Sequence, residues 1–307
     1  MATLIVRRIL GLIPVVVAIS ILVFLMIHLI PGDPVAMMLG EAGVSQEAVD
    51  NVRQQLGLND PLWVQYRRFA LNALHGDLGR SMLQNRKVED LIAAQLPATM
   101  ELTMAGLVLA VLSGLVIGVI AAVRQNTWVD SSSMVVALLG ISMPSFWLSL
   151  LLIFLFSLRL GWLPATGRGG FVRLIMPSIA LGFGVAALLA RMVRSSMLDV
   201  LSQDYVRTAR AKGLSERVVV YKHALTNALI PVVTVVGLEF GRLMSGAVVI
   251  ETVFARAGIG RLTVTAILSK DYPLVQGAVL VSALVYLAAN LIVDISYAWI
   301  DPRIRYS

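Results

Sequence analysis

With 307 residues, 58% of them hydrophobic and only 14% charged, and a mean hydropathy of +0.84, the chain is too apolar for a soluble globular protein and reads as an integral membrane protein. Its net charge of +7 comes from 25 Lys and Arg against 18 acids, and the basic residues sit beside apolar runs, as the flanks of membrane spans do, rather than in a nucleic-acid patch. The absence of cysteine excludes a disulfide framework, an iron–sulfur cluster and a thiol nucleophile.

A spanning helix needs about 20 mostly apolar residues, and six stretches qualify: residues 9–30, 99–123, 134–158, 174–193, 229–250 and 274–299. Arg7 and Arg8 precede the first, which resembles a signal peptide's start. Its apolar run is too long for one and ends in Pro31-Gly32-Asp33-Pro34, so it reads as a retained anchor. Residues 31–97 then read as a small folded region. A helix is predicted from Ser45 to about Leu56, turn chemistry at Gly57-Leu58-Asn59-Asp60-Pro61, and a second helix over residues 62–74 that offers Trp63, Tyr66, Phe69 and Leu74 for packing. The third span carries Pro144 inside it and the fourth carries Gly182 and Gly184. Gly114 and Gly118 in the second span, and Gly237 and Gly241 in the fifth, make GxxxG pairs that let helix backbones approach.

Between the fourth and fifth spans lies a basic amphipathic segment, residues 204–231. Gly213-Leu214-Ser215 divides it into two short helices, with Arg210 and Lys212 near the end of the first and Glu216 near the start of the second, where the helix dipole favours them. Val218, Tyr221 and Leu225 recur at i, i+3, i+7 as one apolar stripe, while Arg207, Arg210, Lys212, Arg217 and Lys222 keep the rest cationic. Such a segment either binds anionic lipid headgroups or docks a partner. Twelve basic residues flank the spans on the side of the N-terminus against six on the other, which places both termini and this segment in the cytoplasm.

Catalytic and metal constellations are missing. There is no Gly-Lys dipeptide and hence no Walker A loop, no GxSxG elbow, and His28, His75 and His223 lack the HExxH spacing. Ionisable residues within spans are few and include Glu101, near a span end, Glu239 and Arg242 in the fifth, and Asp294 in the sixth. Glu239, Arg242 and Asp294 are candidates for lining a pathway, although Glu239 and Arg242 at i, i+3 also suit a simple ion pair.

The Asp204–Arg217 run followed by His223-Ala224-Leu225-Thr226-Asn227-Ala228 and Pro231 resembles the cytoplasmic coupling segment of ABC-importer permeases, in the dipeptide, oligopeptide and nickel branch that includes glutathione importers. The likeness extends through Leu29-Ile30-Pro31-Gly32-Asp33-Pro34, Gln55-Leu56-Gly57-Leu58, Gly76-Asp77-Leu78-Gly79, Gly258-Ile259-Gly260-Arg261, Asp271-Tyr272-Pro273 and Asp301-Pro302-Arg303. Arg207-Thr208-Ala209 stands where the general permease signature has Glu-Ala-Ala, Gly213 fits, and Ile230-Pro231 lies further downstream than the usual Leu-Pro.

The resemblance implies an all-α integral membrane fold, a six-helix bundle of the type I importer permease class in the bacterial inner membrane. Its parts would be the first helix with its cytoplasmic end (residues 1–30), an extracytoplasmic segment (31–98) and a five-helix core (99–307) containing the coupling segment (196–230). It also implies a second homologous permease, two cytoplasmic ATPases that bind ATP and Mg, and an extracytoplasmic binding protein. This chain would bind no cofactor or metal, catalyse nothing, and form half of the pathway. Arg207, Thr208, Ala209, Arg210, Ala211, Lys212, Gly213, Leu214, Ser215, Val218, Tyr221 and Leu225 would contact the ATPase. Di- or oligopeptides rank first as cargo, then glutathione, then a nickel chelate. A secondary transporter is the contrasting class, with inverted repeats and broken helices about a midplane site; a membrane-bound enzyme or scaffold is the third.

Overall fold

The computed structural model describes residues 2–29, 54 and 59–300, so the helix expected at 45–56 and the motifs within residues 30–34, 55–58 and 301–303 lie outside the described residues. The described chain is helical, with an isolated bridge between Arg80 and Lys87. Its helices are α1 (Ala2–Leu29), α2 (Leu62–Leu74), α3 (Val88–Val123), α4 (Trp128–Ser142), α5 (Ser145–Leu152), α6 (Val172–Leu201), α7 (Asp204–Ala211), α8 (Glu216–Val218), α9 (Leu225–Val253), α10 (Ile259–Leu268) and α11 (Tyr272–Ile300). π-Helical turns at Ile153–Arg159 and Val219–Ala224 extend α5 and join α8 to α9. Five helices are long and apolar enough to cross a membrane, and α4 with α5 makes a sixth if that bent pair counts as one span.

That pair corrects the expectation of a continuous third span. Pro144 has no amide hydrogen and forces its predecessor out of the helical region, so Met143 is extended (φ −83°, ψ 123°) and the two helices meet at 108°. Gly182 and Gly184 do not break α6, which runs unbroken through both.

Two compact units form, each discontinuous in sequence: Met1–Leu96 with Leu262–Leu291, and Pro97–Arg261 with Ile292–Ser307. In the first, α2 lies on α1. Phe24 meets the ring of Tyr66 edge-on at 5.5 Å and that of Phe69 at 6.0 Å, and the Ser20 and Tyr66 hydroxyls hydrogen-bond at 2.9 Å. Trp63 and Leu74 stay exposed. Buried Asp271 starts α11 by accepting from Leu274 N and also holds the loop before α3, accepting from Ser81 Oγ (2.5 Å) and Met82 N (3.1 Å). The Gly76–Gly79 and Asp271–Pro273 motifs thus meet, with Gly79 packed on Pro273.

In the second unit α6 is the central element. Leu181, Val185, Leu189, Val193 and Met197, four residues apart, make its buried ridge. In a membrane, close contact rather than release of water holds helices together, so small residues decide where they meet. A side chain at Gly114 would collide with Leu189, one at Gly118 with Ala190 and Val193, and one at Gly182 with the Gly106 carbonyl, which puts α3 directly against α6. Asp130 of α4 clamps Arg194 of α6 with two bonds (Oδ1–Nε 2.5 Å, Oδ2–Nη2 2.7 Å) and accepts from Asn126 N (3.0 Å). No sequence pattern announced this pair, because its members are 64 residues apart.

Candidate functional site

The basic segment folds as two short arms on the end of the second unit. In α7, Val206 and Ala209 are buried with Val219, against Val200 and Leu201, while the opposite face is solvated. The helix stops because Gly213 takes a left-handed conformation (φ +77°), in which its amide donates to Arg210 O (2.9 Å). Across that bend the Arg210 guanidinium grips the Glu216 carboxylate (2.7 and 3.4 Å), so the helix-end charges read from sequence close onto each other. Both are well exposed, and such a pair contributes only about 0–1 kcal/mol while fixing the bend's shape. Tyr205 Oη accepts from Asn227 Nδ2 (2.9 Å), tying α7 to α9.

Of the twelve residues assigned to a docking surface, Arg207, Thr208, Arg210, Ala211, Lys212, Gly213, Leu214, Ser215, Val218 and Tyr221 are exposed together. Ala209 is instead part of the small core beneath α7. Leu225 departs from the stripe as well: it is half-buried against the main core. The π-helical turn at Val219–Ala224 widens the helical repeat, so an i, i+3, i+7 pattern no longer stays on one face past Tyr221. Val219, Val220 and Ala224 supply the buried side.

Within α9, Glu239 is buried and Arg242 is 60% exposed, and Nε of Arg242 lies 2.7 Å from Glu239 Oε2. The side chain of Asp294 lies outside the described residues. A further polar cluster escaped sequence reasoning. Buried Glu251 at the end of α9 accepts from Thr99 Oγ1 (2.5 Å) and Arg261 N (3.1 Å), and Thr99 Oγ1 accepts from Ile259 N (2.9 Å), so both cap the start of α10. A Cβ at Gly258 would overlap the Glu251 carboxylate, and one at Gly260 would strike Val248, which accounts for the Gly258-Ile259-Gly260-Arg261 motif. Beside it, buried Arg256 donates to Glu101 (2.7 Å), and Arg168 lies 3.7 Å from the same carboxylate. Burial holds the Arg256 guanidinium below its ordinary value, against the pull of Glu101. The signal that could have found this cluster was the motif itself, which has two glycines and no turn to explain them.

The segment that joins α6 to α9 can present a bent, cationic, partly apolar surface, and among the described residues no group of three or more His, Asp and Glu could hold a metal ion. The chain matches the family described as binding-protein-dependent transport system inner membrane component over residues 114–306, and its N-terminal companion over residues 1–103. It is 49% identical over 302 residues, 98% of each chain, to the glutathione transport system permease protein GsiC of Escherichia coli O6:H1. The identity is 48% over the same length for GsiC of Escherichia coli K12 and of Shigella dysenteriae serotype 1. Among solved structures, an inward-facing MetNI methionine ABC transporter chain superposes with TM-score 0.60 at 17% identity, covering 69% of this chain and 96% of that one. An amino acid ABC transporter with histidines gives 0.54 at 16%, covering 68% and 94%. These two share the fold. The chain belongs to the binding-protein-dependent transport system inner membrane components and is a multi-pass inner-membrane permease subunit of an ABC importer.

Proposed function

We propose that this permease carries short peptides, with glutathione the first cargo to test, and that it forms half of a pathway completed by a second permease. The observation that carries the reading is near-half identity to glutathione permeases over almost the whole of both chains, at 98% coverage. The family name itself speaks for a binding protein, and ABC importers take their energy from ATPase subunits that hold ATP and Mg. Both termini and the α7–α8 arms then face the cytoplasm, residues 31–98 face outward, and residues 99–307 carry the core. Each ATPase groove receives an exposed bend built from Arg207 to Ser215 with Val218 and Tyr221; Ala209 and Leu225 support it from beneath. A closing ATPase pair pulls on the bend and swings α6 and α9, a rigid-body change that reorients the pathway. Glu239, Arg242 and Asp294 are the pathway candidates.

The test is uptake into proteoliposomes. The tagged permease is purified with its associated subunits, and radiolabelled glutathione, a dipeptide and a nickel chelate are offered with the binding protein and internal ATP. ATP-dependent uptake of glutathione or the dipeptide is expected. Uptake of the nickel chelate alone would replace the peptide reading, and uptake without ATP would return the chain to the secondary transporters.

A further inference from the structure

An exposed guanidinium inside a membrane span calls for an explanation. Arg242 lies within the Glu216–Val253 span, yet 60% of it is accessible in the isolated chain. A charge facing lipid there costs about 2.5–3.5 kcal/mol on insertion scales, so this side of α9 faces water or another subunit. Glu239, one turn back, brings Oε2 to 2.7 Å from Nε, and neither Nη1 nor Nη2 is hydrogen-bonded to a described residue. The paired nitrogens form the edge of the fork that best matches a carboxylate.

Arg242 lines a cavity of about 200 Å³, whose wall includes Ser145, Phe183 and the glycines Gly140, Gly184 and Gly246. Gly140 lets α4 come close to Ala187 of α6, and the break at Met143–Pro144 opens the space by turning α5 away from α4. Ser145 is the first residue of α5, so the positive end of that helix adds a field of the same sign as Arg242. The volume is below the ~300–1,000 Å³ of sites that enclose a whole small ligand, and suits one end of a longer molecule.

We propose that Arg242 forms a carboxylate subsite on the translocation path, which takes a terminal carboxylate of the peptide cargo as it passes. The proposal rests on the peptide reading given above. Glu239 serves as the resident counter-charge: it lies beside the guanidinium and competes with the cargo. Capture is therefore weak and reversible, as passage requires, because a path that binds tightly does not release.

The experiment uses the intact complex in nanodiscs, purified through a tag on this chain and free of binding protein. The probes are radiolabelled glutathione and glutathione with both carboxyl groups amidated. Wild-type complex is expected to bind the free form and not the amide. Arg242→Gln should weaken binding about tenfold or more, since a charge-assisted pair is lost, and Arg242→Lys should fall between. Glu239→Gln should tighten binding a few-fold by removing the competitor, a gain that misfolding cannot imitate. Equal binding of acid and amide, or full binding by Arg242→Gln, would overturn the subsite. Loss of the second permease from the Arg242→Gln preparation would overturn it too, by making Arg242 an interface residue. Uptake by wild-type proteoliposomes separates the two readings. If glutathione is transported while the Arg242 variants bind normally, only the subsite falls; if wild type transports no peptide, the cargo reading falls and takes the subsite with it.

Discussion

Gly213 shows how one backbone angle shapes the surface offered to a partner. Its φ of +77° suits glycine, and an added Cβ would meet nothing within 4 Å, so substitution there is governed by torsion rather than by collision. Gly213→Ala should therefore cost about 1–2 kcal/mol locally and leave partial transport. Gly213→Pro fixes φ near −65°, removes the amide that donates to Arg210 O, and should abolish the bend. Uptake is expected to fall to background while membrane levels stay normal. Wild-type uptake by that variant would remove the docking assignment. Glu251 makes the same point in reverse. Its role could not be read from one position in the chain, because its partners Thr99, Gly258 and Gly260 become neighbours only when the end of α9 packs on the turn of α3 that carries Thr99.

At the level of elements, apolar run length defines the spans and local chemistry edits them. Pro14, Pro97, Pro177 and Pro231 all lie inside unbroken helices, whereas Pro144 divides the third span. Residue type alone does not distinguish these prolines; packing around the freed backbone groups does. The Asp130–Arg194 pair ties α4 to α6 in addition to their close approach at Gly140, and its carboxylate is only 5% exposed. Asp130→Ala or Arg194→Ala alone strands a charge in a poorly hydrated site and should cost about 3–5 kcal/mol of stability. The double variant should recover part of that loss, because no lone charge remains. Thermal denaturation of the purified protein in detergent measures all three. Additive losses would show that the two side chains act independently.

At the scale of the whole molecule, orientation governs everything proposed for the coupling arms. The chain has no cysteine, so a single introduced thiol reports its own compartment without background. Leu214 and Phe171 are both exposed, in the bend after α7 and just before α6. A membrane-impermeant maleimide should modify Leu214→Cys from inverted vesicles and Phe171→Cys from right-side-out vesicles. The opposite pattern would turn the molecule over and remove the arms from any cytoplasmic ATPase.

The membrane class, the position of the apolar runs, the split of the basic segment at Gly213 and the resemblance to importer permeases were all legible along the chain. Each of these rests on composition, period or short motifs, which act between residues close in the chain. Packing settled what the chain could not: Leu225 turns inward, the third span breaks at Pro144, Glu251 caps α10, and Arg242 lines a cavity with Glu239 beside it. Those outcomes depend on which groups are brought together across many residues, and whether a charge or a proline is tolerated is decided by the neighbours that packing supplies.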